Sequence, residues 1–159
     1  MKRTFLSAVL TGEPGAARHV EAWLLLVCAL AVHVADEAST GFLDFYNPLV
    51  RSARSALPWL PVPTFSFGPW FAGLVVLVIA LALMAPAVRR GGLGIRLASW
   101  VLSAIMFLNG IGHLAGSVYF QRWLPGATSA PLLLGASLLL ARATWKRRRP
   151  WAGAGSNGD

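Results

Sequence analysis

The sequence predicts an all-α protein: an integral membrane bundle of four transmembrane helices with both termini on the cytoplasmic side. Three observations predict it. Hydrophobic residues make up 56% of the chain and charged residues only 13%, where a soluble domain carries about 25% charged residues. The charges fall between apolar runs rather than within them. The basic residues collect in every second connecting segment, the pattern of a multi-pass topology.

Residues 1–19 read as a polar, basic cytoplasmic segment. Its apolar patch, Phe5–Leu10, is too short to cross a bilayer and is closed by Glu13-Pro14-Gly15. A secretory signal beginning at Lys2 and Arg3 ranks second, because its apolar part is thin and a longer apolar run follows. Spans are expected at residues 20–37, 70–88, 97–120 and 127–143, in one domain covering 20–145. Crossing the hydrocarbon core takes ~20 apolar residues. The second and third spans meet that length and carry no formal charge with His113 neutral. The first and fourth are shorter and lean on their flanks. Pro131 stands near the start of the fourth, where proline is tolerated.

The longest connection, residues 38–68, lies on the outer side in this arrangement. Within it Pro48–Leu57 is expected as a short amphipathic surface helix, with Pro48 in its first turn and Pro58 as its stop. Leu49, Val50, Ala53 and Leu57 would share one face, with Arg51, Ser52, Arg54 and Ser55 mostly on the other. Pro58-Trp59-Leu60-Pro61-Val62-Pro63 then reads as stiff and extended. The plain reading of this loop is a membrane-hugging connector; the sharper one is a lid over the space beneath. The tail, residues 146–159, is basic and ends in a Gly-rich stretch, Trp151–Asp159, expected to be disordered.

Orientation follows from the positive charges. With the N-terminus inside, the inner segments hold Lys2, Arg3, Arg18, Arg89, Arg90, Arg96, Arg142, Lys146, Arg147, Arg148 and Arg149. The outer segments hold Arg51, Arg54 and Arg122. Eleven against three places both termini inside. The same residues account for the net charge of +8 as anchors to anionic lipid headgroups, with membrane lipids and not nucleic acid as partner. Trp123, Trp145 and Trp151 suit an interfacial belt. Cys28 is the single cysteine, so no intrachain disulfide or zinc-finger spacing exists; it reads as a small buried or lipid-facing residue. No Ser-His-Asp arrangement, phosphate loop or dinucleotide fingerprint occurs.

Polar groups inside the apolar runs are few, and they fall in two clusters. His33, Asp36 and Glu37, spaced i, i+3, i+4, project from one helix face. Asn109 and His113, spaced i, i+4, do the same on the third span. Counted along their helices at 1.5 Å per residue, both clusters sit ~17 to ~24 Å from the inner end, at matching depth. Polar groups in a membrane face the bundle interior or a wet cavity and pair with one another. His33, Asp36, Glu37 and His113 are therefore candidate ligands of a divalent metal, since imidazole with carboxylate suits zinc, iron or manganese. Asn109 would orient one of them. The same five residues could instead form a proton-transfer site, or a hydrogen-bonded clamp between the first and third helices without chemistry.

His33-Val34-Ala35-Asp36-Glu37, followed by Thr40-Gly41-Phe42, resembles the signature of the HXXEE family of small bacterial multi-spanning membrane proteins. Asn109-Gly110-Ile111-Gly112-His113 and the Pro125-Gly126 turn before the last helix match that resemblance further along the chain. One departure stands out: Asp36 occupies the position of the family's first Glu, which keeps the charge and draws it back by one methylene. The resemblance implies a multi-pass protein of the bacterial cytoplasmic membrane and implies no particular reaction. Two functional classes remain open. One is a membrane-embedded, metal-dependent enzyme acting on a lipid or hydrophobic small molecule, with His33, Asp36, Glu37, Asn109 and His113 as its catalytic set. The other is a non-catalytic protein (a transporter subunit, an ion-responsive partner or an assembly factor) in which the cluster is a clamp. Transport through four short helices would call for a homo-oligomer.

Overall fold

The computed structural model describes residues 14–147, and every regular element among them is helical. The chain forms α1 (Pro14–Ser39), α2 (Phe42–Ala56), α3 (Phe67–Leu83), α4 (Ala85–Arg90), α5 (Leu93–Tyr119) and α6 (Ala130–Lys146). The readings of Phe5–Leu10 and of the tail from Arg148 onward, Trp151 included, lie outside the described residues.

Three helical stretches are long and apolar enough to cross a membrane: Gly15–Ser39, Phe67–Arg90 and Leu93–Tyr119. They suggest a membrane protein. The outward faces agree, because Leu25, Val76, Leu83, Leu108 and Val118 are each more than half exposed, and a soluble monomer rarely shows contiguous apolar surface on that scale. Cys28 is exposed on the same kind of face. The last helix differs. With 17 residues it stands at the lower limit of the roughly 17–25 that a span takes, and it is packed between α1 and α5. Leu133, Leu140 and Thr144 along it are fully buried.

Local sequence explains where the helices depart from expectation. The first helix begins at Pro14, so the end of the segment read as cytoplasmic and polar is helical. Ala16 and Ala17 favour helix, and His19 is drawn into the interior. The surface helix begins at Phe42, and Pro48 lies inside it rather than in its first turn. Gly41, in the left-handed region at φ 77°, turns the chain out of α1 and lets the new helix start six residues earlier than the proline would suggest. The helix stops at Ala56, just ahead of Leu57 and Pro58, as a residue preceding proline resists helical geometry. Only Val50 of its expected apolar face is buried; Leu49 and Leu57 stay exposed. The second apolar run is broken at Met84. Pro86 has no N–H to offer the carbonyl one turn back, so the helix interrupts and resumes as α4.

The core gathers Trp23, Leu26 and Leu30 of α1 against Leu133 and Leu140 of α6 and Val88 of α4. Trp23 also donates its indole N–H to the Leu81 carbonyl at 2.8 Å, tying α1 to α3 just before the break. Between α5 and α6 the packing uses small residues: Ser99, Ser103, Gly110 and Ser117 are all buried on one face of α5. A Cβ on Gly110 would lie 2.8 Å from Leu134 Cγ, so glycine is what lets these helices approach, as in lipid-embedded helix pairs generally.

The end of the bundle where α1 begins and α6 finishes is closed by a lock that sequence analysis read only as anchoring charge. Arg147 donates to His19 Nδ1 at 3.0 Å, to the Val88 carbonyl at 2.6 Å and to the Arg89 carbonyl at 2.8 Å. His19 Nε2 meets Ser99 Oγ at 2.9 Å and Thr144 Oγ1 at 3.3 Å. One guanidinium and one imidazole thereby join α1, the end of α4, α5 and α6. Hydrogen bonds from charged donors contribute about 2 kcal/mol each. Arg147→Ala is expected to lower the thermal unfolding midpoint of detergent-purified protein by several degrees. Arg142→Ala, at an exposed position of the same helix, leaves it nearly unchanged. Equal midpoints for the two variants would refute the lock.

Candidate functional site

Each side chain of the site is aimed by a local rule. His33 and Glu37 stand one helical turn apart on α1, so their side chains point the same way. His113 reaches the same place from α5. The two imidazole rings lie edge to face with centroids 4.8 Å apart. Glu37 Oε1 is 3.1 Å from His113 Nε2 and 3.6 Å from His33 Nε2. All three residues are buried, and one ligand atom from each lies within 4.8 Å of the others. Such a group could hold a metal ion.

The second nitrogen of each ring is held from behind. His113 Nδ1 is 2.6 Å from the Pro125 carbonyl, which can only accept, so the proton sits on Nδ1. His33 Nδ1 is 2.8 Å from Ser129 Oγ. Ser129 has a single hydroxyl proton, and the Asp36 carboxylate takes it at 2.8 Å, because a charged acceptor outcompetes the Gly126 carbonyl at 3.2 Å. His33 therefore donates from Nδ1 as well. Both neutral rings then turn the lone pair of Nε2 toward the Glu37 carboxylate. Three acceptors facing one another with no donor between them repel. A positive charge balances the arrangement, either as a bound cation or as protons added to the rings. His33 Nε2 is buried with no hydrogen-bond partner among the described residues, the condition that usually calls for an explanation in a native interior.

The sequence-derived set divides in two. His33, Glu37 and His113 converge. Asp36 does not join them: its carboxylate accepts from both the backbone N–H and the hydroxyl of Ser129 at 3.0 and 2.8 Å. Ser129 is the N-cap of α6, so Asp36 supplies from α1 the negative charge that a helix N-terminus favours. The shorter side chain suits that position one step behind the cluster. Asn109 is half-buried one turn before His113, and its side chain makes no hydrogen bond to the cluster among the described residues.

Two participants escaped sequence reading. Ser129 was invisible because nothing in a lone serine before an apolar run points to a histidine 96 residues away. Gly126 was noticed only as part of a turn. Its φ is +83°, and a Cβ there would stand 2.8 Å from His113 Cε1 and 3.0 Å from His33 Cε1. The turn thus presses backbone against both rings, and only glycine leaves room for them.

Residues 23–140 match a protein family described as a protein of unknown function with HXXEE motif. No curated protein and no solved structure matches the chain.

Gly126→Ala combines an unfavourable left-handed backbone with overpacking against two buried rings, costing about 1–3 kcal/mol. Its unfolding midpoint should fall clearly below that of the unaltered protein, whereas Gly94→Ala, at an open position, should not move it downward. A Gly126→Ala protein as stable as the original would show that the turn does not bear on the rings.

Proposed function

The chain belongs to the HXXEE family, and from the geometry of its buried cluster we propose that it is a membrane-embedded, metal-dependent enzyme acting on a lipid or another hydrophobic small molecule. The observation that carries this reading is the set of three acceptor atoms, His33 Nε2, Glu37 Oε1 and His113 Nε2, turned inward by partners that occupy the opposite nitrogens. Two imidazoles with one carboxylate form the ligand set of many catalytic zinc sites and of ferrous oxygenases, both of which keep a coordination position open. Manganese is also compatible with these donors. A bound metal would serve as a Lewis acid toward a carbonyl or phosphoryl oxygen, or activate water.

The chain's own residues would do the rest. Ser129 and the Pro125 carbonyl orient the two rings and fix their tautomers, the role outer partners play around metal-bound histidine. Asp36 acts through Ser129 as a positioning residue. Glu37 and His113 are buried, which limits the access of water to the cluster. The wider setting of this proposal is a bundle of four spans in the bacterial cytoplasmic membrane, with both ends inside. It is supported by Arg89, Arg90, Arg96, Arg142 and Lys146 gathering at one end of the helices while Arg51, Arg54 and Arg122 fall at the other. In that orientation the cluster opens toward the outer leaflet.

Elemental analysis of detergent-purified protein, prepared without chelators, should find close to one metal ion per chain. His33→Ala and His113→Ala should lose it while remaining folded by thermal unfolding and gel filtration. Ser129→Ala should retain the metal with affinity reduced roughly 10- to 100-fold, the usual effect of losing an outer partner. Metal-free wild-type protein would overturn the proposal and leave the protonated clamp in its place.

A further inference from the structure

Glu37 faces two ways. Besides touching His113, it lines a cavity of about 310 Å³ enclosed by the end of α1, the start of α2 and the strap leading into α3. The chemistry of this lining is selective. Glu37 and Asp44 contribute carboxylates, Phe42, Phe65, Phe67 and Trp70 contribute rings, and among the described residues no Lys or Arg lines it. Phe42 and Trp70 lie nearly parallel with centroids 5.8 Å apart. Asn47 also borders the cavity, but its amide is consumed by the strap: it donates to the Phe65 carbonyl at 2.8 Å and accepts from the Phe65 N–H at 3.0 Å. Tyr46 adds a bond to the Pro63 carbonyl at 3.1 Å. The aromatic wall is therefore pinned in place, and with Glu37 engaged by the histidines Asp44 is the carboxylate left to meet a ligand. Asp44 forms no ion pair among the described residues. The nearby Arg122 lines a separate cavity with it and rests over the Phe45 ring at 5.4 Å.

Directly inward, the same two helices form an apolar groove of about 250 Å³. Ala31, Val34 and Ala35 of α1 make one wall, and Phe71, Val75 and Val78 of α3 make the other. Ala38 of the cavity stands one turn beyond Val34 and Ala35 of the groove, and Phe67 of the cavity one turn before Phe71, so the two lie on one face of the same helix pair. From Trp70 to Ile79 the groove descends ~14 Å at helical rise. A polar, aromatic chamber thus sits on top of a hydrocarbon-lined slot.

We propose that cavity and groove form one binding site for a single-chain amphiphile with a cationic, ammonium-type head. This rests on the metal-site reading for the role of the bound molecule as substrate, and it names that substrate's class. The head lies among the rings of Phe42, Phe67 and Trp70, whose faces attract cations, with Asp44 as counter-ion. An anionic head would face the Asp44 carboxylate, with no Lys or Arg among the described residues lining the cavity. The chain runs down the groove toward Val78. Glu37 then separates the bound head from the two histidines, so the reactive part of the molecule is delivered beside the cluster.

The test is equilibrium binding of radiolabelled hexadecyltrimethylammonium to the full-length purified protein in a neutral maltoside detergent, with metal content measured on the same sample. Binding should be saturable, and unlabelled palmitate or hexadecanol of equal chain length should compete about tenfold less well, the factor that ~1.4 kcal/mol of cation–π and charge attraction supplies. Asp44→Asn, at an exposed side chain without hydrogen bonds, should fold normally and bind about tenfold more weakly. Val75→Trp should fill the groove and reduce binding of the long-chain probe while sparing tetramethylammonium. Equal competition by palmitate or hexadecanol, or unchanged binding in both variants, would overturn the proposal. Protein that lacks metal yet prefers the ammonium probe supports this site and sinks only the metal reading; metal-loaded protein indifferent to head charge sinks only this one.

Discussion

Two imidazole nitrogens and one carboxylate oxygen share a buried point, and much of the fold is arranged to hold that convergence, which a bound cation or protons on the rings would balance. Glu37 Oε1 lies 3.1 Å from His113 Nε2 and 3.6 Å from His33 Nε2. Three constraints hold this geometry. The one-turn spacing of α1 aims His33 and Glu37 together. The Pro125 carbonyl and Ser129 hydroxyl engage the far side of each ring. Gly126 fills the space against both rings with backbone alone.

The turn from Pro125 to Ser129 is consequently the hub of the site, though it contributes no converging side chain. It carries the acceptor for His113, the hydroxyl for His33 and the N-terminus of α6, where Asp36 docks. The docking serves two ends at once. It satisfies a backbone donor that the helix cannot use internally, and it ties α1 to α6 at the level of the cluster. α6 is thus secured at both ends: capped from α1 at its N-terminus and locked through Thr144 and Arg147 at its C-terminus. Polar layers near both ends of α6 fix its height relative to α1, and the apolar contacts of Leu133 and Leu140 fill the interval between them.

The aromatic strap beside the end of α1 follows the same economy. Asn47 spends its whole amide on one backbone position of Phe65, which fixes an extended segment without any sheet. That leaves the space between Glu37 and Trp70 open and defined. A stiff proline-rich segment is well suited to this, because it loses little conformational freedom on being pinned.

The composition and spacing of the chain were enough to determine an all-helical protein with long apolar helices, since 3.6-residue periodicity and apolar run length are properties of the chain alone. They also placed His33, Glu37 and His113 at one depth, because helical rise converts residue counts into distance. Asp36 was visible as an acid on the correct face, but its partner was not: the choice between the cluster and Ser129 depends on one methylene of reach and on a turn more than 90 residues away. The early start of α2, with Pro48 inside it, turned on the left-handed Gly41, and the break at Met84 needed the carbonyl geometry ahead of Pro86. Gly126, Ser129, the His19–Arg147 lock and the cavity beside Glu37 belong wholly to the tertiary structure. Each is a meeting of groups distant in sequence, and no local rule encodes which polar atoms will be brought within hydrogen-bond reach once the helices pack.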